Sequence, residues 1–123
     1  MKILVDPDSV PTTLDECLGN IKQFLDAEDI KQITAYNKNP FLTEKIGAAV
    51  FLKAAWSLTD VESLLVKWFK SQYGIDDGDQ ISSTVLHCLY CDVKENPRKI
   101  KEFVSSLNKG KKRKKKVEKE EEE

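Results

Sequence analysis

The stretch DDGDQISSTVLHCLYCDV (residues 76–93) decides whether this chain is built around a metal site, a redox pair or a packed helix. It contains the only histidine, His87, and two of the three cysteines, Cys88 and Cys91. Two cysteines at this spacing form half of a structural zinc site or a redox pair, whereas the apolar residues between them are typical of a packed helix. The stretch therefore binds a metal, carries redox chemistry or packs in a core.

Three observations favour packing. A zinc site needs four ligands, and the chain has no second Cys-x-x-Cys pair and no other histidine. On a helix, His87 and Cys91 share a face, but Cys88 lies about 100° round the axis. A redox pair needs its first cysteine at a helix N-terminus, and Cys88 lies in mid-helix. We expect Cys88, Leu89 and Cys91 to pack, His87 to lie at the surface or boundary, and the chain to use no metal and no cofactor.

The acidic residues that open the stretch suggest calcium only superficially. A calcium loop needs a glutamate at its twelfth position, and the twelfth residue counted from Asp76 is His87. A turn followed by a helix cap explains DDGD better. The sequence predicts a helix from about Gln80 to Val93 with Asp79 as its cap.

Two short helices are predicted near the N-terminus. Thr13 and Glu16 have the spacing of a capping box, and apolar residues follow at helical spacing. A second, shorter helix is predicted to start at a pair of aspartates and to point two isoleucines inward; these residues are Asp26 with Asp29, and Ile30 with Ile33.

Two further helices are predicted in the middle of the chain. TEKIGAAVFLKAAW predicts a helix from about Thr43, with one side formed by Ile46, Ala49, Val50, Lys53 and Trp56. Thr59 and Glu62 predict a second capping box, and the apolar stripe behind it is Val61, Leu64, Leu65, Trp68 and Phe69. Gly74 is expected to end that helix in a left-handed conformation, with Ile75 as its hydrophobic partner.

The last helix is predicted to begin with Asn96 as cap and Pro97 at the first helical position. Its expected inward residues are Ile100, Phe103, Val104 and Leu107. From Lys109 onward only one of fifteen residues, Val117, is apolar, which predicts disorder. The predicted architecture is all-α: a single bundle of five or six short helices (residues 1–108) with a disordered charged tail (residues 109–123).

Charge is distributed unevenly between these two parts. The chain has 123 residues, of which 33% are charged and 40% hydrophobic, with a formal net charge of −1. Residues 1–108 contain 12 Lys/Arg and 16 Asp/Glu, a net −4, whereas residues 109–123 contain 8 Lys/Arg and 5 Glu, a net +3. The N-terminus lacks the features of a signal peptide and no stretch reaches the ~20 apolar residues of a membrane span. With three cysteines, this composition favours a reducing, cytoplasmic compartment and no membrane contact.

No catalytic motif is present. The chain has no glycine-rich phosphate loop, no Gly-x-Ser-x-Gly and no His-Glu-x-x-His, and a nucleophile would depend on the single His87. Nothing in the pattern places a serine or Cys17 beside that histidine. We therefore expect a protein that is not an enzyme.

Three sets of residues are candidates for binding. Lys45 and Lys53 with Trp56 suit a small anionic ligand such as a nucleotide signal, and neighbouring aromatic residues, Trp68, Phe69, Tyr73 and Tyr90, line such a pocket or form core. Five acidic residues suit a protein partner: Asp60, Glu62, Asp76, Asp77 and Asp79. The block Lys111, Lys112, Arg113, Lys114, Lys115 and Lys116 suits phosphate contacts of nucleic acid, or serves as a solubilising tail.

Three stretches also resemble a family of small helical domains from bacteria and phages whose function is unknown. The family has P-x-T-L-(D/E)-E at the first helix, then HFGLGxxIRNNWxLW, then an acidic turn before an apolar helix. The corresponding stretches here are VPTTLDECL (10–18), KIGAAVFLKAAWSL (45–58) and DGDQISSTVL (77–86). Where the family has His, Arg and paired Asn, this chain has Lys45, Lys53, Ala54 and Ala55.

The resemblance implies a helical fold over about residues 10–95. Together with the missing catalytic residues and the charge split, it leads to one main hypothesis: a phage-encoded accessory protein that binds and inhibits or triggers a host or defence protein. Two alternatives are a small-ligand (nucleotide) binding protein and nucleic-acid contact through the tail. A homodimer through the small-residue helix is a further option.

Overall fold

The structure is a computed structural model, and it describes residues 4–6, 8–36, 39 and 48–107. Within these residues the chain forms six helices and no strand. Their bounds are α1 Leu14–Lys22, α2 Ala27–Thr34, α3 Ala48–Ala55, α4 Leu64–Tyr73, α5 Gly78–Val93 and α6 at residues 100–107. The all-α prediction is confirmed, while the tail lies outside the described residues.

Helix α5, formed by the stretch that opened the sequence analysis, is the centre of the bundle. It packs against α1, α2, α3 and α4. Its completely buried apolar residues are Ile81, Val85, Leu86, Cys88 and Leu89. A helix that touches four others must be apolar on most of its circumference, which is why this stretch carries few charges.

The N-terminal helices begin almost as predicted. The Thr13 hydroxyl accepts a hydrogen bond from the Glu16 amide (3.2 Å), but the Glu16 carboxylate binds the amide and hydroxyl of Thr12 instead of the Thr13 amide. The predicted box at Thr13 is therefore only half formed. Asp26 and Asp29 form the complete box at α2.

Only one of the two isoleucines of α2 faces the core. Ile33 is buried, whereas Ile30 is 42% exposed, so the prediction that both point inward is wrong. Because α2 has only eight residues and lies at the edge of the bundle, a single turn of it reaches the core.

The side of α3 on which the sequence analysis placed Val50 and Trp56 is divided between surface and core. Val50 is 55% exposed, while Leu52 and Trp56 are buried at 0% and 2% exposure. Since α3 is apolar on all sides apart from Lys53, periodicity alone could not select the face that packs. The predicted start of this helix, Ile46 and the side chain of Ala49 lie outside the described part of the chain.

Helix α4 begins later than predicted. Ser63, not Thr59, is its cap, and the Ser63 hydroxyl accepts a hydrogen bond from the Val66 amide at 3.4 Å. Turns occupy the residues between α3 and Ser63, so the predicted stripe is exposed at its beginning, where Val61 and Leu64 are each 67% accessible. Of the rest of the stripe, Leu65 and Phe69 are buried as expected, and Trp68 is partly buried against the core.

Three helices end with a residue in the left-handed conformation. Gly74 ends α4 with φ 72°, and Ile75 behind it is buried, as predicted. Ser57 (φ 52°) and Glu95 (φ 58°) do the same for α3 and α5. In both cases the amide of the following residue donates a hydrogen bond to the carbonyl five residues earlier, Leu58 to Lys53 and Asn96 to Cys91. This bond is typical of the Schellman motif.

This motif explains two wrong predictions at the C-terminal end of the bundle. Asn96 completes the end of α5, so it does not cap the next helix, and Pro97 lies in the connection before α6. Helix α6 starts after Lys99, and its inward residues include Ile100 and the buried Val104, as predicted. At the other end of α5 the cap is Asp77, two residues before the predicted Asp79.

Candidate functional site

A groove beside Trp56 is an opening lined by buried and exposed apolar side chains of the described residues. Its cavity measures about 340 Å³ and lies between the N-terminal segment, the end of α3 and the beginning of α4. The lining residues of this groove, called the Trp56 groove below, are Val10, Pro11, Thr12, Ala55, Trp56, Ser57, Asp60, Ser63, Leu64 and Leu65.

The connection between α3 and α4 shapes one side of the groove. Left-handed Ser57 turns the chain at the end of α3, and the buried Leu58 anchors the turn. Two successive turns follow, in which the Asp60 amide donates to the Ser57 carbonyl and the Ser63 amide to the Asp60 carbonyl, both at 3.0 Å. These bonds hold Leu64 at the rim of the groove.

Large apolar side chains are exposed along the rim. Val10 and Leu64 line the groove and are 57% and 67% exposed, and Val61, three residues before Leu64, is 67% exposed. An isolated exposed apolar side chain is common on protein surfaces, but a cluster around a cavity is typical of a site that binds another molecule.

Trp56 contributes a polar group to the interior of this region. The residue is 2% exposed, and its indole Nε1 has no hydrogen-bond partner among the described residues. A buried donor without a partner costs free energy, on the order of 1–3 kcal/mol. Trp56, a lining residue of the groove, thus carries the one buried side-chain polar atom in the described part of the chain that has no partner.

Two of the three predicted small-ligand residues, Lys53 and Trp56, lie in the described part of the chain. Lys45 lies outside the described residues. The Lys53 ammonium is 2.9 Å from the Asp79 carboxylate, on the side where α3 meets the start of α5. Trp56 lines the groove but is buried. Of the other aromatic residues proposed for a pocket, Trp68, Phe69 and Tyr73 pack in one cluster in which Trp68 makes T-shaped contacts with the other two rings. The Tyr90 hydroxyl donates to the Tyr36 carbonyl.

Three of the five acidic residues proposed for a protein partner have a lysine beside them. Asp79 pairs with Lys53, Glu62 with Lys67 at 3.2 Å, and Asp76 with Lys70 at 3.7 Å. Asp77 caps α5, and Asp60 lines the Trp56 groove. These pairs offset part of the negative charge of the five acidic residues.

The cysteines of the central helix are packed, as predicted. Cys17, Cys88 and Cys91 are free thiols at 0%, 0% and 7% exposure. Burial raises the pKa of the Cys17 thiol, raises that of Cys88 to about 12, and raises that of Cys91. Thiols of such high pKa are poor nucleophiles at neutral pH. The described residues contain no group of three or more side chains suited to hold a metal ion.

His87 lies at the boundary, as expected, but its partners were not predicted. Its Nε2 atom is 2.6 Å from the Arg98 carbonyl oxygen and 3.7 Å from the Cys91 sulfur. Its ring stacks on Phe103, with a centroid distance of 4.1 Å and an interplanar angle of 8°. These contacts connect α5 with the residues that follow it.

An ionic cluster around Asp92 was missed in the sequence. Its carboxylate accepts hydrogen bonds from Arg98 Nε and Nη2 and from Lys22 Nζ, all at 2.8 Å. Burial by itself raises the pKa of the Asp92 carboxyl, but these bonds outweigh it and lower the pKa. The hydrogen bond to Asp92 raises the pKa of Arg98. Sequence spacing gives no signal for this cluster, because Lys22 and Asp92 are seventy residues apart.

Two further predictions concern surfaces and membranes. The basic block, residues 111–116, lies outside the described residues, so the nucleic-acid prediction stays a prediction. No helix in the described part of the chain has the length and apolar character that crossing a membrane requires.

A family model described as "Domain of unknown function (DUF6794)" matches residues 10–92. The match begins and ends close to the range of the resemblance found in the sequence. No curated protein and no solved structure matches the chain.

Proposed function

We propose that this chain, which belongs to the family described as a domain of unknown function, DUF6794, is a non-catalytic protein-interaction module. We further propose that it is a phage-encoded accessory protein whose helical domain binds and inhibits or triggers a host or defence protein. In this proposal the Trp56 groove receives an apolar segment of the partner.

The observation that carries the proposal is the cluster of exposed apolar side chains at the groove. Val10 and Leu64 line the groove and are each more than half exposed, although a chain of this size has few apolar residues to spare from its core. Burying them against a partner would remove apolar surface from water and so favour association. Asp60 at the rim would favour a partner segment with a basic residue beside its apolar ones.

The proposal is supported by the chemistry of the rest of the domain. The three thiols are buried, and His87 is committed to contacts with Arg98 and Phe103. The described residues thus offer a docking surface more readily than a nucleophile.

The test is capture of a partner from lysate of the host with the full-length chain, followed by variants. We expect one stoichiometric protein to be retained by the full-length chain and by a chain that stops at Asn108. Leu64→Glu should weaken binding of the purified partner by at least about tenfold, because the new carboxylate would lose hydration in an apolar interface.

Val50→Glu is the matched control, because Val50 is also an exposed apolar residue (55%) but does not line the groove. Equal losses in both variants, or none in Leu64→Glu, would refute the groove as the binding site. Recovery of nucleic acid by the full-length chain alone would assign binding to the tail. Release of a nucleotide from denatured protein, without a protein partner, would favour the small-ligand alternative.

A further inference from the structure

The Trp56 groove shares a wall with a second cleft. Residues 9–12, called the Pro11 wall below, contribute Val10, Pro11 and Thr12 to the groove. Two residues of the wall also line a cleft of about 270 Å³ beside α1, called the α1 cleft below. The lining residues of this cleft are Ser9, Pro11, Glu16, Gly19, Asn20 and Gln23. Because Pro11 lines both spaces, the wall separates one from the other.

The α1 cleft gives the wall room to move. A Cβ atom built at Gly19, which lies inside α1, would have nothing within 4 Å. A segment that is packed against neighbours cannot be displaced without strain, because protein interiors have few voids. The Pro11 wall has no such neighbour beside Gly19. A displacement of the wall towards α1 therefore meets little resistance, and it widens the groove, whose other sides are the end of α3 and the beginning of α4.

Hydrogen bonds fix the distance between the wall and α1. The Asn20 side chain accepts a hydrogen bond from the Asp6 amide at 2.7 Å and donates one to the Ser9 carbonyl at 2.6 Å. At the other end of the wall, the Glu16 carboxylate accepts a hydrogen bond from the Thr12 amide at 2.8 Å. In the described part of the chain, no hydrogen bond joins the wall to α3, to α4 or to the connection between them. A displacement of the wall thus has to bend or break its bonds to α1 only.

The two side chains that hold the wall differ in exposure. Asn20 is buried, at 7% exposure, whereas Glu16 is exposed. Water competes for the hydrogen bonds of an exposed side chain more than for those of a buried one, so Asn20 holds the wall more strongly. Pro11 is buried as well and favours an extended backbone at Val10. This part of the wall is therefore stiff and moves as one piece.

We propose that the Pro11 wall is a gate of the Trp56 groove, with Asn20 as its latch. In the structure the gate is closed: Trp56 is 2% exposed, and its indole Nε1 has no hydrogen-bond partner among the described residues. When the wall moves into the α1 cleft, the groove widens, and water or an acceptor of a bound segment reaches the indole, so that the donor gains a partner. The gate rests on the proposed function for what enters the groove, whereas its movement requires no partner.

Hydrogen exchange of the Trp56 indole in the full-length protein measures this movement directly. Each indole N–H gives its own NMR signal, and Trp68→Phe identifies that of Trp56, since the chain has two tryptophans. Gly19→Leu, which fills the α1 cleft, should slow exchange of the Trp56 N–H by at least about fivefold, because the wall loses the space into which it moves. Asn20→Ala, which removes the latch, should accelerate this exchange by about tenfold.

Gly19→Ala is the matched control, because it changes the same residue but adds only a methyl group with nothing within 4 Å. The backbone amide of Leu89, a buried residue of α5, exchanges only on larger unfolding and corrects each rate for changes in stability. Equal slowing in Gly19→Leu and Gly19→Ala overturns the gate. A rate in Asn20→Ala that changes only in proportion to that of the Leu89 amide overturns it as well. The expected rates without any captured partner would support the gate and count against the proposed function alone.

Discussion

Gly78 is a residue at which the start of α5 lies close to Lys53 of α3 and to the turn that follows α3. A Cβ atom built at this position would lie 3.0 Å from the Leu58 carbonyl oxygen and 3.1 Å from Cδ of Lys53. The carbonyl belongs to the turn that forms the Trp56 groove and cannot move freely. The absence of a side chain at residue 78 thus positions α5 and the groove together.

We predict that Gly78→Ala lowers the free energy of unfolding by about 1 kcal/mol, because the overlap with the Leu58 carbonyl outweighs the better helix propensity of alanine. Gly19→Ala is the control: Gly19 lies inside α1 with nothing within 4 Å of its Cβ position. That variant should be more stable by about 0.5–1 kcal/mol. Urea unfolding measures both, and a stabilised Gly78→Ala would contradict the close packing.

At the scale of single residues, the sequence predicted only some of the left-handed backbone conformations. Gly74 was predicted to be left-handed because glycine marks such positions. Ser57 and Glu95 adopt the same conformation without any sign in their residue types. The Schellman bonds formed by the residues that follow them, and the packing of those residues, impose this conformation, so local pattern could not show it.

At the scale of elements, the residue at which α4 begins determines which apolar side chains near the groove are exposed. The helix starts at Ser63 and leaves Val61 outside its first turn. Thr59 and Glu62 have the spacing of a capping box. In the structure both residues lie in the turns after Ser57, and the Glu62 carboxylate pairs with Lys67. Two capping signals lie four residues apart, and the second, Ser63, starts the helix.

We therefore predict that Ser63→Ala lowers the free energy of unfolding by about 1 kcal/mol through loss of the cap, whereas Thr59→Ala changes it by less than about 0.5 kcal/mol. Both residues are hydroxyl-bearing and lie in the same connection, so Thr59→Ala is a matched control. Thermal or urea unfolding of the two variants gives the comparison. A larger loss in Thr59→Ala would mean that α4 begins earlier than the structure has it.

At the scale of the whole molecule, the Asp92 cluster joins parts that are distant in sequence. Lys22 comes from α1, Asp92 from α5 and Arg98 from the connection between α5 and α6. Helix caps act within one element, whereas this cluster connects three. Loss of this cluster should therefore affect how the connection before α6 is held, as well as overall stability.

We predict that Asp92→Asn lowers the free energy of unfolding by about 1–2 kcal/mol at neutral pH, since it removes charged hydrogen bonds to Arg98 and Lys22. The pKa of the Asp92 carboxyl is lowered from 3.8 in the folded protein. Its contribution is therefore complete above pH 3.8 and is lost as the pH falls through the folded-state pKa.

The free energies of unfolding of the unmodified protein and Asp92→Asn should accordingly converge in acid. Urea unfolding at a series of pH values measures this difference. A difference that stays constant from neutral pH to well below 3.8 would show that the Asp92 charge does not contribute to stability.

The sequence by itself determined the helical class, the central packed helix, the capping signals at Thr13 and Asp26 and the left-handed Gly74, because all of these depend on residues close together in the chain. Only the tertiary structure decided which side of the apolar helix α3 is buried, which cap starts α4, and that Lys53 pairs with Asp79. It also decided that the backbone of Arg98 meets His87 and that its side chain meets Asp92. These outcomes depend on contacts between distant segments, and the periodicity of a single helix carries no information about the neighbour against which it packs.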